Sequence, residues 1–169
     1  MNEKITKRRN QLKGDLVVGR INVYAALAMT ALNLILRLCT KSIALPFSIY
    51  LSDLLFTLGV GSAKDGGAVA VLPIFFGVMI IVMLALCCRL SAKRSEFMKI
   101  VHAAVWIDFI INGLMAIYLF VAAGSFVLIL NFAYHFYLTV TVGKAAKAAV
   151  GLELIPECVD EEPSDTNNE

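Results

Sequence analysis

The chain has 169 residues, of which 59% are hydrophobic and 17% charged, with a formal net charge of +2. Soluble domains of this size are about half apolar and about a quarter charged, so the composition argues against an ordinary soluble protein. The apolar residues fall in blocks close to the roughly 20 residues that cross a bilayer. We therefore predict an all-α polytopic membrane protein with four transmembrane helices and one additional short helix.

The chain begins with a basic segment, residues 1–14, which we expect to lie in the cytoplasm. A single transmembrane domain is predicted over 15–152, and its first span covers about 15–39. Arg20 and Arg37 bracket the apolar part of this span, and both side chains can extend to the membrane interface. The block does not end in a small-x-small cleavage site, so we interpret it as a retained helix and not as a signal peptide.

The segment 42–60 can be interpreted as a fifth crossing or as an amphipathic helix. We predict a helix over about 46–59, with Pro46 at its first position and Gly59 at its end. A helix of this length covers about 21 Å, which is short for a crossing. We therefore expect an extracytoplasmic helix that is interfacial or re-entrant. Its predicted apolar stripe comprises Phe47, Tyr50, Leu51, Leu54, Leu55 and Leu58.

Three further spans are predicted over about 67–88, 100–122 and 125–142. Helical composition continues after the last span, and Pro156 should end it. The tail, 153–169, has seven acidic residues and no basic ones, which predicts a disordered cytoplasmic segment. An acidic arm that contacts the chain's own basic loop or a partner is the alternative.

The distribution of basic residues sets the predicted topology. Of the 15 Lys and Arg residues, six precede residue 21, four lie within 89–99 and two are Lys144 and Lys147. With four crossings, these 12 basic residues lie on one side of the membrane. A fifth crossing at 42–60 would split all 15 into seven and eight. Cytoplasmic loops carry the excess of Lys and Arg. We therefore predict a multi-pass protein of the cell membrane with cytoplasmic N- and C-termini.

Polar residues inside the predicted spans form a candidate intramembrane cluster. Asp108 and Asn112 are four residues apart, as are Asn131 and His135, so each pair shares one helix face. Asn112 and His135 are equally distant from the short turn at 123–124, which predicts similar depths. Asn33 of the first span is expected at a depth similar to that of Asn131.

This cluster allows two interpretations. Polar side chains in membrane helices often form interhelical hydrogen bonds that hold a bundle together. A buried Asp beside a His is also typical of a proton relay or a cation site. Separately, Arg37 and Asp53 are predicted to pair at the outer surface and to dock the short helix on the bundle.

The sequence contains no recognisable catalytic motif, so we predict no enzymatic activity, no catalytic residue and no cofactor. The four cysteines lack metal-ligand spacing, and we interpret them as small hydrophobic residues, so no metal site is predicted. The expected partners are the lipid bilayer and other copies of the chain or another membrane protein, with no nucleic acid. A non-enzymatic membrane component is the leading hypothesis. A small transporter or channel with an unknown small-molecule or ion substrate is the alternative.

The order of segments in this chain resembles that of small uncharacterised multi-spanning membrane proteins of bacteria. It has a basic N-terminus, a first span and then the segment LPFSIYLSDLLFTLG before the next span. This resemblance covers about residues 10–140 and implies a membrane location without a specific activity. Four-span small multidrug exporters are a poor match, because their first-helix glutamate has no counterpart among the residues from Ile21 to Leu36.

Overall fold

The computed structural model describes residues 2–40, 47–64, 71–123 and 127–155. Over these residues the chain forms α-helices and no strand, which confirms the predicted all-α fold. The helices are α1 (Asn2–Thr40), α2 (Tyr50–Lys64), α3 (Val71–Leu90), α4 (Ser95–Ala123) and α5 (Val127–Leu154). Within the described residues, three stretches are long and apolar enough to cross a membrane: Glu3–Cys39, Val71–Leu90 and Ser95–Tyr118.

The helix α5 packs antiparallel to both α1 and α4. On the α1 side, Gly19 meets Ala145 so closely that a Cβ at Gly19 would overlap the alanine methyl group. On the α4 side, a Cβ at Gly143 would lie 2.9 Å from Nε2 of His102. Small residues allow helix backbones to approach closely, and dispersion contacts then hold the helices together. These contacts place the core between α1, α4 and α5, where Val23, Val101, Leu138 and Val142 are fully buried.

The helix α3 is the most apolar and the least enclosed of the candidate spans. Few of its residues are buried, namely Gly77, Leu84 and Cys88. Its remaining large side chains, such as Phe75 at 54% and Phe76 at 55%, are exposed. An all-round apolar helix with this exposure suits contact with lipid or with another membrane helix.

The helix α2 differs in its bounds from the predicted helix at 46–59. It begins at Tyr50 and continues through Gly59 and Gly61 to Lys64. Pro46 lies outside the described residues. The later start follows from a cap supplied by another helix, described below. A helix that packs against α3 along much of its length tolerates glycine, which costs only about 1 kcal/mol relative to alanine.

The buried face of this short helix differs from its predicted apolar stripe. Leu58 is 53% exposed and Phe47 is 36% exposed, whereas Ser52 and Phe56 are fully buried. The ring of Phe56 fills the space above Gly77 of α3, where a Cβ would overlap it. A helix surrounded by apolar groups gains little by turning its leucines inward, so its small and polar residues can occupy the interior.

Three helices are longer than predicted at one end. The basic N-terminal residues are helical and continuous with the first span in α1. The helix α4 begins at Ser95, five residues before the predicted span. The helix α5 runs to Leu154, so Glu153, which was assigned to the disordered tail, is helical. Residues 156–169 of that tail, and Gly124 of the predicted turn, lie outside the described residues.

Candidate functional site

The carboxylate of Asp108 caps the first turn of α2. Asp108 is the fourteenth of the 29 residues of α4, and its side chain is 4% exposed. Its Oδ1 accepts the backbone N–H of Leu51 at 2.7 Å, and its Oδ2 accepts that of Tyr50 at 3.2 Å. The first N–H groups of a helix have no partner within that helix, and the helix dipole favours a negative charge beside them. Asp108 therefore supplies the cap that α2 lacks in its own sequence.

His135 lies beside this carboxylate. Its Nε2 is 3.1 Å from Oδ2 of Asp108, and its side chain is fully buried. The contact is close, but it is not aligned as a hydrogen bond. The other ring nitrogen, Nδ1, lies 2.8 Å from the backbone carbonyl oxygen of Asn131. A carbonyl oxygen can only accept, so we infer that Nδ1 carries a proton.

The role of the second ring nitrogen follows from that assignment. With Nδ1–H directed at Asn131, a neutral His135 presents the Nε2 lone pair to Asp108, and a charged His135 presents an N–H there.

The residues that lead into α2 are also held by side chains of other helices. Oγ1 of Thr30 on α1 accepts the backbone N–H of Ile49 at 2.8 Å, and Oδ1 of Asn131 on α5 accepts that of Phe47 at 3.3 Å. Together with the two bonds to Asp108, four backbone N–H groups between Phe47 and Leu51 bind side chains. Three helices therefore hold the residues that lead into α2 and the first two residues of α2, and we call this set of four hydrogen bonds the α2 clamp.

The backbone of Phe47 is strained. Its φ is 74°, in the left-handed region that residues with a Cβ rarely adopt. Such a conformation costs about 1–2 kcal/mol and persists where the surroundings enforce it. Here the bond to Asn131 and the ring of Tyr134, whose centroid lies 4.9 Å from that of Phe47, fix the residue.

The remaining predicted members of the cluster surround this clamp. Nδ2 of Asn131 donates to Oδ1 of Asn112 at 3.4 Å, and Asn112 is 2% exposed. Nδ2 of Asn112 has no hydrogen-bond partner among the described residues. Asn33 is fully buried and lies one turn beyond Thr30 on α1. The structure therefore brings Asp108 to His135 and Asn112 to Asn131 across the α4–α5 pair.

Arg37 and Asp53 form a two-point ion pair between α1 and α2. Nε of Arg37 donates to Oδ1 of Asp53 at 3.0 Å, and its second guanidinium nitrogen donates to Oδ2 at 2.8 Å. The side chains are 20% and 15% exposed, so the pair is partly shielded from solvent. This geometry fixes α2 against α1 about one turn beyond the clamp.

The partners that matter most to Asp108 were not predicted from the sequence. The predicted cluster placed it among side chains, Asn112, Asn131 and His135, whereas two of its partners are backbone N–H groups of α2. Thr30, which donates to the carbonyl of Ala26 and accepts from Ile49, was not predicted either. Backbone N–H groups at the start of a helix leave no signature in the sequence. The one available signal was the presence of an acidic residue, Asp108, inside an apolar span.

The described residues contain no group of three or more His, Cys, Asp or Glu side chains that could hold a metal ion. Cys39, Cys87 and Cys88 are free thiols. No protein-family model matches the chain, and comparison with curated proteins and with solved structures finds no match. The geometry of the α2 clamp is therefore the main guide to function.

Proposed function

We propose that the chain is a multi-pass protein of the cell membrane, with α1, α3, α4 and α5 as four crossings and both termini in the cytoplasm. The length and composition of three helices support this topology. The antiparallel packing of α5 along α4 supports a crossing by α5. The 12 basic residues on one side support the orientation.

In this proposal α2 is a re-entrant half-helix. Its start lies against Thr30, ten residues before the end of α1, or about 15 Å at 1.5 Å per residue. It then runs in the same direction as α1, because Asp53 meets Arg37 further along. After α1 reaches the outer side, the chain returns toward the middle of the bilayer, and α2 leads outward again. Non-helical backbone is tolerated at that depth only where protein groups satisfy it, as the α2 clamp does.

The biochemical role that this arrangement supports best is that of a non-enzymatic membrane component that associates with a partner or with copies of itself. The observation that carries this proposal is that both carboxyl oxygens of Asp108 accept hydrogen bonds from the chain's own backbone. In many transporters, the start of a half-helix near the bilayer centre binds an anionic substrate. Here an internal carboxylate occupies that position, and the exposed apolar face of α3 remains available to lipid or another helix.

A small transporter or channel is the second candidate, and one observation favours it. Nε2 of His135 lies 3.1 Å from Oδ2 of Asp108 beside a half-helix, and a buried acid and imidazole at this distance are the groups that a proton relay uses. In that case the α2 clamp would open during a transport cycle. The first candidate requires the clamp to remain closed.

A flux measurement on sealed vesicles separates these candidates. Purified chain is reconstituted with a pH-sensitive dye inside, and wild type is compared with Asp108→Asn and with the control Asp15→Asn. Asp15 is a partly exposed acid near the inner end of α1. We expect no proton flux above empty vesicles in any of the three. Flux in wild type and Asp15→Asn that disappears in Asp108→Asn would contradict the non-transport proposal.

A further inference from the structure

A basic cavity lies at the end of the bundle opposite the Arg37–Asp53 pair, where α1, α5 and the turn between α3 and α4 meet. Its volume is about 350 Å³, and four cationic side chains line it: Arg9, Lys13, Lys93 and Arg94. Glu153 is the one carboxylate among its lining residues. The cavity therefore presents a concentrated positive charge from two separate segments of the chain, α1 and the turn between α3 and α4.

The carboxylate of Glu153 is hydrogen-bonded within the protein. Its Oε1 accepts the backbone N–H of Ser95 at 2.6 Å, and its Oε2 accepts the Ser95 hydroxyl at 2.6 Å. Ser95 is the first residue of α4, so the carboxylate also faces the positive end of that helix. The carboxylate is thereby directed at Ser95, and with four cations against one carboxylate the cavity keeps an excess of positive charge.

The wall of the cavity is apolar on its deeper side. Leu16, Ala149 and Leu152 line it below the cationic groups. Leu16 is also part of the packed core between the helices. A positively charged rim above an apolar wall matches an amphipathic anion better than a free, fully hydrated one.

We propose that this cavity binds the phosphate headgroup of an anionic lipid, with the lipid's glycerol and upper acyl segments against the apolar wall. Basic pockets between membrane helices on the cytoplasmic side are suited to such headgroups. The inference rests on the proposed membrane topology, which places this end of the bundle at the cytoplasmic leaflet. A second cavity of about 330 Å³ shares Arg94, Ser95 and Glu153 and adds Lys99 and Glu96. Its two cations are matched by two carboxylates, so the excess of positive charge belongs to the first cavity.

Native mass spectrometry of the full chain in neutral detergent tests the inference. The probes are phosphatidylglycerol and phosphatidylcholine with identical acyl chains, and inorganic phosphate. The cavity variant is Lys93→Gln/Arg94→Gln. The control is Lys4→Gln/Lys7→Gln, which removes the same charge from exposed residues of α1 that do not line the cavity.

We expect wild type and the control to retain phosphatidylglycerol in preference to phosphatidylcholine. One basic side chain near the surface contributes about five-fold in affinity for an anionic lipid, so the cavity variant should bind it about 25-fold more weakly. A single substitution, Lys13→Gln, should weaken it by about five-fold and provides a milder second variant. Equal losses in the cavity variant and the control would overturn the proposal.

Three further outcomes would also overturn the proposal. Displacement of phosphatidylglycerol by millimolar inorganic phosphate would show that the cavity takes a free anion, which overturns the assignment to lipid. Failure to retain either lipid, or retention of both without preference, would overturn the headgroup site. None of these outcomes bears on the membrane topology, which the cysteine-labelling experiment tests separately.

Discussion

Asp108 accepts the backbone N–H of Leu51 at 2.7 Å across 57 positions of sequence, and this bond connects the middle of α4 to the first turn of α2. The same carboxyl group contacts His135, so a helix cap and a buried Asp–His contact share one residue. This sharing explains how an acid can be retained in an apolar bundle: its oxygens face two N–H groups, a helix dipole and an imidazole ring.

Substitution of Asp108 by leucine should destabilise the protein strongly. It would leave the N–H groups of Tyr50 and Leu51 and the ring of His135 without their buried partner. Removal of one member of a buried pair costs about 3–5 kcal/mol. The measurement is thermal or denaturant unfolding in detergent, with Asp15→Leu as the control. A loss below about 1 kcal/mol would show that redundant partners replace the cap.

Part of this site could be predicted from sequence. The four-residue spacings predicted that Asp108, Asn112, Asn131 and His135 form one polar cluster between two helices. The depth matching was wrong by one helical turn: equal distance from the turn matched His135 to Asn112, whereas the structure pairs His135 with Asp108 and Asn112 with Asn131. The α2 clamp could not be predicted, because its donors are backbone groups that every non-proline residue possesses. The start of α2 followed the same logic: Pro46 is a good first helical residue, but a carboxylate from α4 selects Tyr50 instead.

The close approach of α1 and α5 at Gly19 provides a test of helix packing. A methyl group there would overlap the Cβ of Ala145 and lie 3.3 Å from the carbonyl oxygen of Thr141. Neither group can rotate away, so Gly19→Ala should destabilise the bundle by about 1–3 kcal/mol through overpacking. Unfolding in detergent measures the loss.

Two variants make the Gly19 test specific. Gly14→Ala lies on the same helix with nothing within 4 Å of the added methyl group, so it should be neutral or stabilise by up to about 1 kcal/mol. Ala145→Gly combined with Gly19→Ala should recover much of the loss. A Gly19→Ala protein as stable as Gly14→Ala would refute this helix contact.

The Arg37–Asp53 pair should couple α1 to α2. Because both side chains are partly exposed, solvent screens the interaction, and a double-mutant cycle should yield a coupling of about 1 kcal/mol or less. Arg37→Glu and Asp53→Arg should each lower stability, and the double exchange should restore part of it. Additive effects of the two substitutions would show that the pair contributes nothing.

The identity of the buried face of α2 was not accessible to periodicity analysis. In water, the apolar stripe of a helix identifies its buried side. Among apolar neighbours this rule loses its physical basis. Phe56 faces inward because its ring fits above Gly77, and Ser52 is buried beside it although its hydroxyl has no hydrogen-bond partner among the described residues. The distribution of charge remained informative at the ends of the helices, because it predicted that Arg37 pairs with Asp53.

The cap of α4 should depend on pH. Hydrogen bonds from the Ser95 hydroxyl and backbone N–H hold the pKa of Glu153 below its ordinary value of 4.5. A lowered folded-state pKa means that the carboxylate stabilises the fold above pH 4.5 and that this contribution is lost as the pH falls through the folded-state pKa. The melting temperatures of wild type and Glu153→Gln should therefore differ at pH 7 and converge near pH 3.

A matched control accompanies this pH series. Glu96→Gln removes an exposed carboxyl group from the same first turn of α4. It should leave intact the difference in melting temperature between pH 7 and pH 3 that Glu153 provides. A gap between wild type and Glu153→Gln that is constant over this range would contradict a role for the ionised carboxylate.

The re-entrant path of α2 is the central claim, and cysteine accessibility in intact cells tests it most directly. In a variant with its four natural cysteines replaced, single cysteines are placed at Ser62 and at Lys93. Both positions are exposed, near the end of α2 and in the turn before α4 respectively. A membrane-impermeant maleimide is added outside, and lysed cells provide the reference. We expect Ser62→Cys to be labelled from outside and Lys93→Cys only after lysis. The reverse pattern would show that 42–60 crosses the membrane and would contradict this account.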